Sequence, residues 1–113
     1  MSIYRDFEVR CPRCGTALID AGSARGCTEC QGLWLEQPVL HHMVEQMQTP
    51  PAPIALTFAA HKRTPLSCPE CADPMTTLKL QNVEIDRCEK HGLWFDRDEL
   101  QIVLLASYVA PSA

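Results

Sequence analysis

The chain has 113 residues, 46% of them hydrophobic, and a formal net charge of -4 at pH 7. That length allows one small domain or two very small ones, and the negative balance gives no general attraction to nucleic acid or to an acidic membrane surface. The longest purely apolar run, residues 102–106, is far short of the roughly 20 residues of a membrane span, and the polar start MSIYRDFEVR lacks a signal-peptide core, so a soluble, cytoplasmic protein without a membrane partner is expected.

One pattern occurs twice along the chain. It begins as CPRC (Cys11, Cys14), continues after twelve residues as CTEC (Cys27, Cys30), and ends in GLWLE. The intervening residues Asp20 to Ser23, DAGS, carry turn chemistry and predict a short β-hairpin. Pro38 suits the first turn of a helix whose apolar stripe is Leu40, Met43, Val44 and Met47. His41 and His42 are adjacent on that helix, point in different directions and read as surface residues.

Residues 49–65, TPPAPIALTFAAHKRTP, hold four prolines and read as a linker. Ile54, Leu56 and Phe58 alternate there with smaller or polar residues, so its middle also suits a short strand. The cluster His61, Lys62 and Arg63 reads as a solvated basic turn rather than a contact for phosphate or for an acidic partner.

The second copy runs CPEC (Cys68, Cys71), sixteen residues, CEKH (Cys88, His91), then GLWFD. Val83 and Ile85 alternate with Glu84 and Asp86, and Gln81-Asn82 sits where a hairpin turn would close. Asp96 and Glu99 have capping-box spacing and start a helix near Arg97, with the stripe Leu100, Val103 and Leu104. The division this predicts is a first ribbon with its helix over 1–48, a Pro-rich linker over 49–65, and a second ribbon with a C-terminal helix over 66–113.

An odd number of cysteines, seven, fits a disulfide framework poorly, whereas short-spaced pairs suit metal binding. Zinc favours four Cys and His donors in a tetrahedron, usually from two such pairs. Cys11, Cys14, Cys27 and Cys30 make one set; Cys68, Cys71, Cys88 and His91 make the other, so each cysteine is used once and His91 supplies the eighth ligand. Two Zn2+ ions are therefore expected. Iron in a rubredoxin-like site is an alternative for the first set, and thioredoxin-type chemistry is opposed by the missing βαβ pattern. Each half is also too small to fold comfortably without a staple, which zinc would supply.

Each copy resembles the transcription-factor-type zinc finger, named for the zinc ribbon of general transcription initiation factor B, with the pattern CPxC, hairpin, CxxC or CxxH, then G-x-W-x-D-x-x-E-L. The second matches through Cys68, Cys71, Cys88, His91, Gly92, Trp94, Asp96, Glu99 and Leu100; the first through Cys11, Pro12, Cys14, Cys27, Cys30, Gly32, Trp34 and Leu40. Three positions depart: Glu36 replaces the aspartate, Val39 replaces the capping glutamate, and Ala72 follows Cys71 where Gly15 follows Cys14. The resemblance implies a small metal-stabilised α+β fold of two zinc ribbons, each a zinc-bound β-hairpin followed by a short helix.

Both predicted sites are closed by four protein ligands, and no nucleophile with a base remains, so no enzyme is expected. Trp34 and Trp94 read as large side chains packed over the hairpins. Two binding roles follow. Arg5, Arg10, Arg13 and Arg25 gather around the first site and suit nucleic acid, but six acids share that half, and four bound thiolates leave the first site near about -2. The favoured role is an adaptor for a protein partner or a second copy, because residues 100–110, LQIVLLASYVA, are apolar on more than one helix face. Leu100, Val103, Leu104 and Tyr108 are its candidate partner-binding residues.

Overall fold

The computed structural model describes residues 9–109. Arg5, Ala110 and two of the six acids counted above, Asp6 and Glu8, lie outside them. In the first half, β1 (Ile19–Ala21), β2 (Ala24–Gly26) and β3 (Leu33–Leu35) form an antiparallel meander that leads into α1 (Gln37–Met47). In the second half, β4 (Phe58–Ala60), β5 (Thr76–Leu80), β6 (Val83–Cys88) and β7 (Gly92–Phe95) form another, followed by α2 (Glu99–Ser107).

The two meanders are one sheet. β3 pairs antiparallel with β7, which gives the strand order β1-β2-β3-β7-β6-β5-β4. The expected unit of hairpin plus helix is not what forms: the GLW segments are not approaches to the helices but strands, the third of the first half and the fourth of the second. β-Branched residues are absent from these segments, and large apolar side chains pack them from both sides instead. Trp34 lies directly opposite Trp94, flanked by Leu33 opposite Phe95 and Leu35 opposite Leu93. Alternation then sorts the side chains. Leu35, Leu93 and Phe95 join the core beneath the helices, with Leu40, Val44, Leu78, Leu80, Ile85, Leu100 and Val103. Trp34 and Trp94 face the other way, into a core made with Cys11, Cys27, Cys68 and Met75.

Local chemistry explains the turns and caps. Gln81 and Asn82 both have positive φ, 51° and 67°, as a two-residue turn of primed type requires. Gly22, φ +71°, serves the shorter hairpin. α1 begins with Pro38 in its first turn and has no side-chain cap, as the replacements at Glu36 and Val39 predict. α2 begins two residues later than expected. The Glu99 carboxylate accepts the Asp96 amide at 2.9 Å, so half of the capping box forms, but the Asp96 side chain is engaged elsewhere and Asp98 turns left-handed, φ 68°.

Between the halves a strand forms later than expected: Phe58–Ala60 pairs with β5, while Ile54 and Leu56 lie before it and, with Phe58, pack against the helix-side core. His61 and Arg63 are not part of a solvated basic turn, although Lys62 is exposed as expected. His61 Nε2 lies 2.9 Å from Glu84, and Arg63 bonds both Glu84 and the fully buried Asp86. Burial pushes the Asp86 carboxyl up, which Arg63 opposes. The helices are tied by Gln48, whose amide donates to the carbonyls of Val44 and Ser107 and accepts from the Val109 amide.

The closest approach in the sheet is at Gly32. A Cβ there would stand 2.2 Å from the Trp94 ring and 2.9 Å from the Phe95 carbonyl oxygen, whereas at Gly26 the nearest atom would be 3.5 Å away. Gly32→Ala is expected to lower stability by about 3 kcal/mol. Gly26→Ala should change it by less than about 1 kcal/mol. Urea unfolding of the zinc-loaded proteins measures both, and equal effects would contradict the tight Gly32–Trp94 contact.

Candidate metal centres

Four tight turns present the donor atoms. In the first, Cys11 opens a knuckle whose carbonyl accepts the Gly15 amide at 2.9 Å, while the Arg13 amide points at Cys11 Sγ, 3.4 Å away. Cys68 repeats this geometry with the Ala72 and Glu70 amides, at 2.9 Å and 3.4 Å. Short antiparallel bridges, Arg10 with Ala17 and Ser67 with Pro74, hold the two knuckles closed. In the third turn the Cys27 carbonyl accepts the Gln31 amide, and the Cys30 amide points at Cys27 Sγ, 3.2 Å away. Amides directed at sulfur favour the thiolate, the form that binds metal.

The fourth turn differs, and the difference accounts for the single-residue offset between the copies. Here the Cys88 carbonyl accepts the His91 amide at 3.1 Å, one residue sooner than in the third turn. Gln31 is the extra residue of the first copy and sits in the left-handed region, φ 61°. With it, both GLW segments enter the sheet in matched register, Trp34 against Trp94.

The structure brings both ligand sets together. The donor atoms of Cys11, Cys14, Cys27 and Cys30 all lie within 4.8 Å of one another, and so do those of Cys68, Cys71, Cys88 and His91. A zinc tetrahedron with sulfur ligands has edges of about 3.8 Å between sulfurs and about 3.6 Å from sulfur to imidazole nitrogen. Cys14 Sγ is 3.5 Å from Cys27 Sγ, and Cys71 Sγ is 3.9 Å from Cys88 Sγ. His91 turns Nδ1 inward, 3.6 Å from Cys68 Sγ and 3.3 Å from Cys88 Sγ. The donor chemistry and the spacing fit two zinc ions.

The thiols differ in acidity. Hydrogen bonds from Thr16 are the main cause that lowers Cys14 to about 6. Cys30 is pushed up to about 12, chiefly by its hydrogen bond with Cys14. Burial pushes Cys68 up to about 12 and raises Cys11 as well. At Cys88 burial also acts upward, but bonds from the Lys90 amide and the His91 ring outweigh it and leave the thiol lowered to about 7. Raised thiols are protonated at neutral pH until a cation displaces the proton, so zinc uptake should release protons and weaken as pH falls.

Two residues beside the ligands have roles beyond those expected from sequence, where Arg13 reads only as a possible nucleic-acid contact and Glu70 has no assigned role. Arg13, in the first knuckle, bonds Asp96 of the second half through Nε at 2.5 Å and a terminal nitrogen at 2.7 Å. Asp96 also accepts the Trp94 indole N–H at 3.0 Å. Glu70, at the equivalent place in the second knuckle, accepts the Trp34 indole N–H at 2.8 Å. Opposite charges at matched positions of CPRC and CPEC were the available signal. Of the candidate partner-binding residues, Leu100 and Val103 belong to the core, Leu104 is half-buried and Tyr108 is exposed. Leu100 and Val103 turn inward and offer little surface of their own; Ile102 and Leu105 on α2 and Val109 just after it are further large apolar residues left exposed.

Residues 67–106 match the model of a family described as Transcription factor zinc-finger. That segment holds the second ligand set, and the first set lies outside it. Nothing matches among curated proteins or among solved structures.

His91→Ala should reduce bound zinc from two ions to one, while His91→Cys should retain two, as read by metal analysis after dialysis. Ala72 adopts the left-handed φ, 65°, that Gly15 adopts in the first knuckle at 80°. Ala72→Gly should therefore stabilise the zinc-loaded protein by about 0.5–1 kcal/mol, the relief of left-handed strain less the added entropy of the unfolded chain. A lowered urea midpoint would contradict it.

Proposed function

We propose that this protein is a non-enzymatic zinc-binding adaptor of the cytoplasm that mediates protein–protein interaction in transcription regulation. The observation that carries this reading is the outer face of α2. Ile102 and Leu105 on the helix are 50% and 74% exposed, Tyr108 and Val109 in the extended chain that follows it are 42% and 58% exposed, and residues 102–109 include no charged side chain. Such a group is costly to hydrate and gains by being covered. The metal centres support a structural role for zinc, because each set supplies four protein donors and leaves no position for water or substrate. The match of the second half to a transcription-factor zinc finger supports the transcription setting.

The arginines near the first site favour this reading over nucleic-acid binding. Arg13 is held by Asp96, Arg10 donates to the Gly15 carbonyl and Arg25 lies 3.7 Å from Asp20. Phosphate recognition needs a segregated basic face, and each of these surface guanidinium groups is already engaged by an acceptor of the protein itself.

Affinity capture with mass spectrometry tests the proposal, comparing wild type with Leu105→Asp, a substitution at an exposed position that leaves the core intact. Partners specific to the wild type are expected to disappear from the variant. Identical partner sets, or a salt-dependent gel shift with DNA or RNA at low micromolar protein, would replace the adaptor reading.

A further inference from the structure

We propose that the two metal sites load as one cooperative unit, coupled by Arg13 and Glu70 through the paired strands β3 and β7. This holds whichever partner α2 meets, since it concerns only the relation between the sites.

Three observations carry the coupling. Each paired strand follows the last ligand of its own set: β3 starts three residues after Cys30, and β7 starts at the residue after His91. Ordering either site therefore orders one of the two strands that join the halves. Second, Cys11 and Cys27 of the first set and Cys68 of the second are buried in one apolar cluster with Trp34 and Trp94. Displacing the ligands of either set exposes or loosens the wall of the other. Third, each knuckle holds the opposite half's tryptophan by a polar contact. Arg13, between Cys11 and Cys14, fixes Asp96 and through it Trp94; Glu70, between Cys68 and Cys71, fixes Trp34 directly.

These contacts run in both directions. A metal at the first site fixes Arg13 and β3, which positions Trp94 and the strand leaving His91. A metal at the second fixes Glu70 and β7, which positions Trp34 and the strand leaving Cys30. Whichever ion binds first orders residues that the other ion needs, so the second binding event has less disorder to remove, and the linkage is positive and reciprocal.

Native mass spectrometry of the full chain, equilibrated in a metal buffer at one zinc per protein, tests the proposal. Two equal independent sites place about half of the molecules in the one-zinc form, and unequal independent sites place more there. Cooperative loading predicts a one-zinc share well below that, with metal-free and two-zinc forms dominant; a share at or above half overturns the proposal. In Arg13→Ala/Glu70→Ala, which removes both polar contacts and leaves all eight ligands in place, the one-zinc share should rise toward the independent value. An unchanged distribution in that variant would remove the two residues from the coupling. As a separate arm, Cys14→Ser should weaken zinc at the remaining site about tenfold or more in chelator competition. If that variant does not fold, the wild-type distribution still decides.

Discussion

The antiparallel pairing of β3 with β7 is the contact on which the rest of the molecule depends. Each strand is three or four residues long, too short to be stable outside a sheet. Joined, they turn two meanders into one sheet and place Trp34 and Trp94 side by side. The glycines of the two GLW segments, Gly32 just before β3 and Gly92 at the start of β7, have reciprocal roles. At Gly32 the space of a side chain is filled by the Trp94 ring, and at Gly92 it is closed by the Leu35 carbonyl, 2.6 Å from where a Cβ would lie, with the Trp34 ring nearby. Each GLW segment thus supplies an indole for the opposite half and a gap that lets the other strand approach.

This pairing also separates two kinds of stabilisation. On one face of the sheet the helices bury an aliphatic core, where fully burying a leucine or valine is worth roughly 1.5–3 kcal/mol. On the other face the apolar material is two tryptophans, a methionine and ligand cysteines, and the metals close it. Zinc in finger-sized units binds with apparent free energies of about 10–16 kcal/mol, so the metal face depends on its ions far more than the helix face does. The charges at Arg13 and Glu70 follow from the indoles. Trp34 reaches a carboxylate on the facing knuckle, whereas Trp94 reaches Asp96, its near neighbour in sequence, and that carboxylate then needs a cation. A glutamate at position 13 would set two carboxylates against each other, and an arginine at position 70 would leave the Trp34 N–H facing another donor.

Much of the metal site was legible because its chemistry is local. Four donors at short spacing, a knuckle glycine at Gly15, and a turn at Gln81-Asn82 are properties of a few adjacent residues, and the coordinates place each accordingly. The helices were legible from their stripes, although Asp96 was drawn from its capping role by Arg13, 83 residues away. What could not be read were relations between the halves. GLW looks like a lead-in to a helix until a second GLW lies beside it. Residues 100–110 are apolar on several faces, so their pattern alone did not orient α2; Leu100 and Val103 went inward and Leu105 stayed out. His61 and Arg63 read as a solvated turn because their partners, Glu84 and Asp86, lie on a strand more than twenty residues later.

The duplicated pattern does not make the halves equivalent. In the second half the sheet continues past β5 to β4, and Arg63 anchors the approach to Cys68 onto the buried Asp86. A buried ion pair of this kind adds little net stability over an apolar pair, but removal of one partner strands the other's charge, so it fixes how the chain enters the CPEC knuckle. Among the described residues, β1 is instead the outer edge of the first half, three exposed residues with Ile19 55% accessible. The second half carries the longer hairpin, the additional strand and the half-formed capping box. The first half, with three-residue strands and an uncapped helix, has less to hold it by itself than the second, with which it shares the β3–β7 pairing. Its uncapped helix is compensated at the far end, where Gln48 bonds Ser107 and Val109 and so ties α1 to the better-supported half.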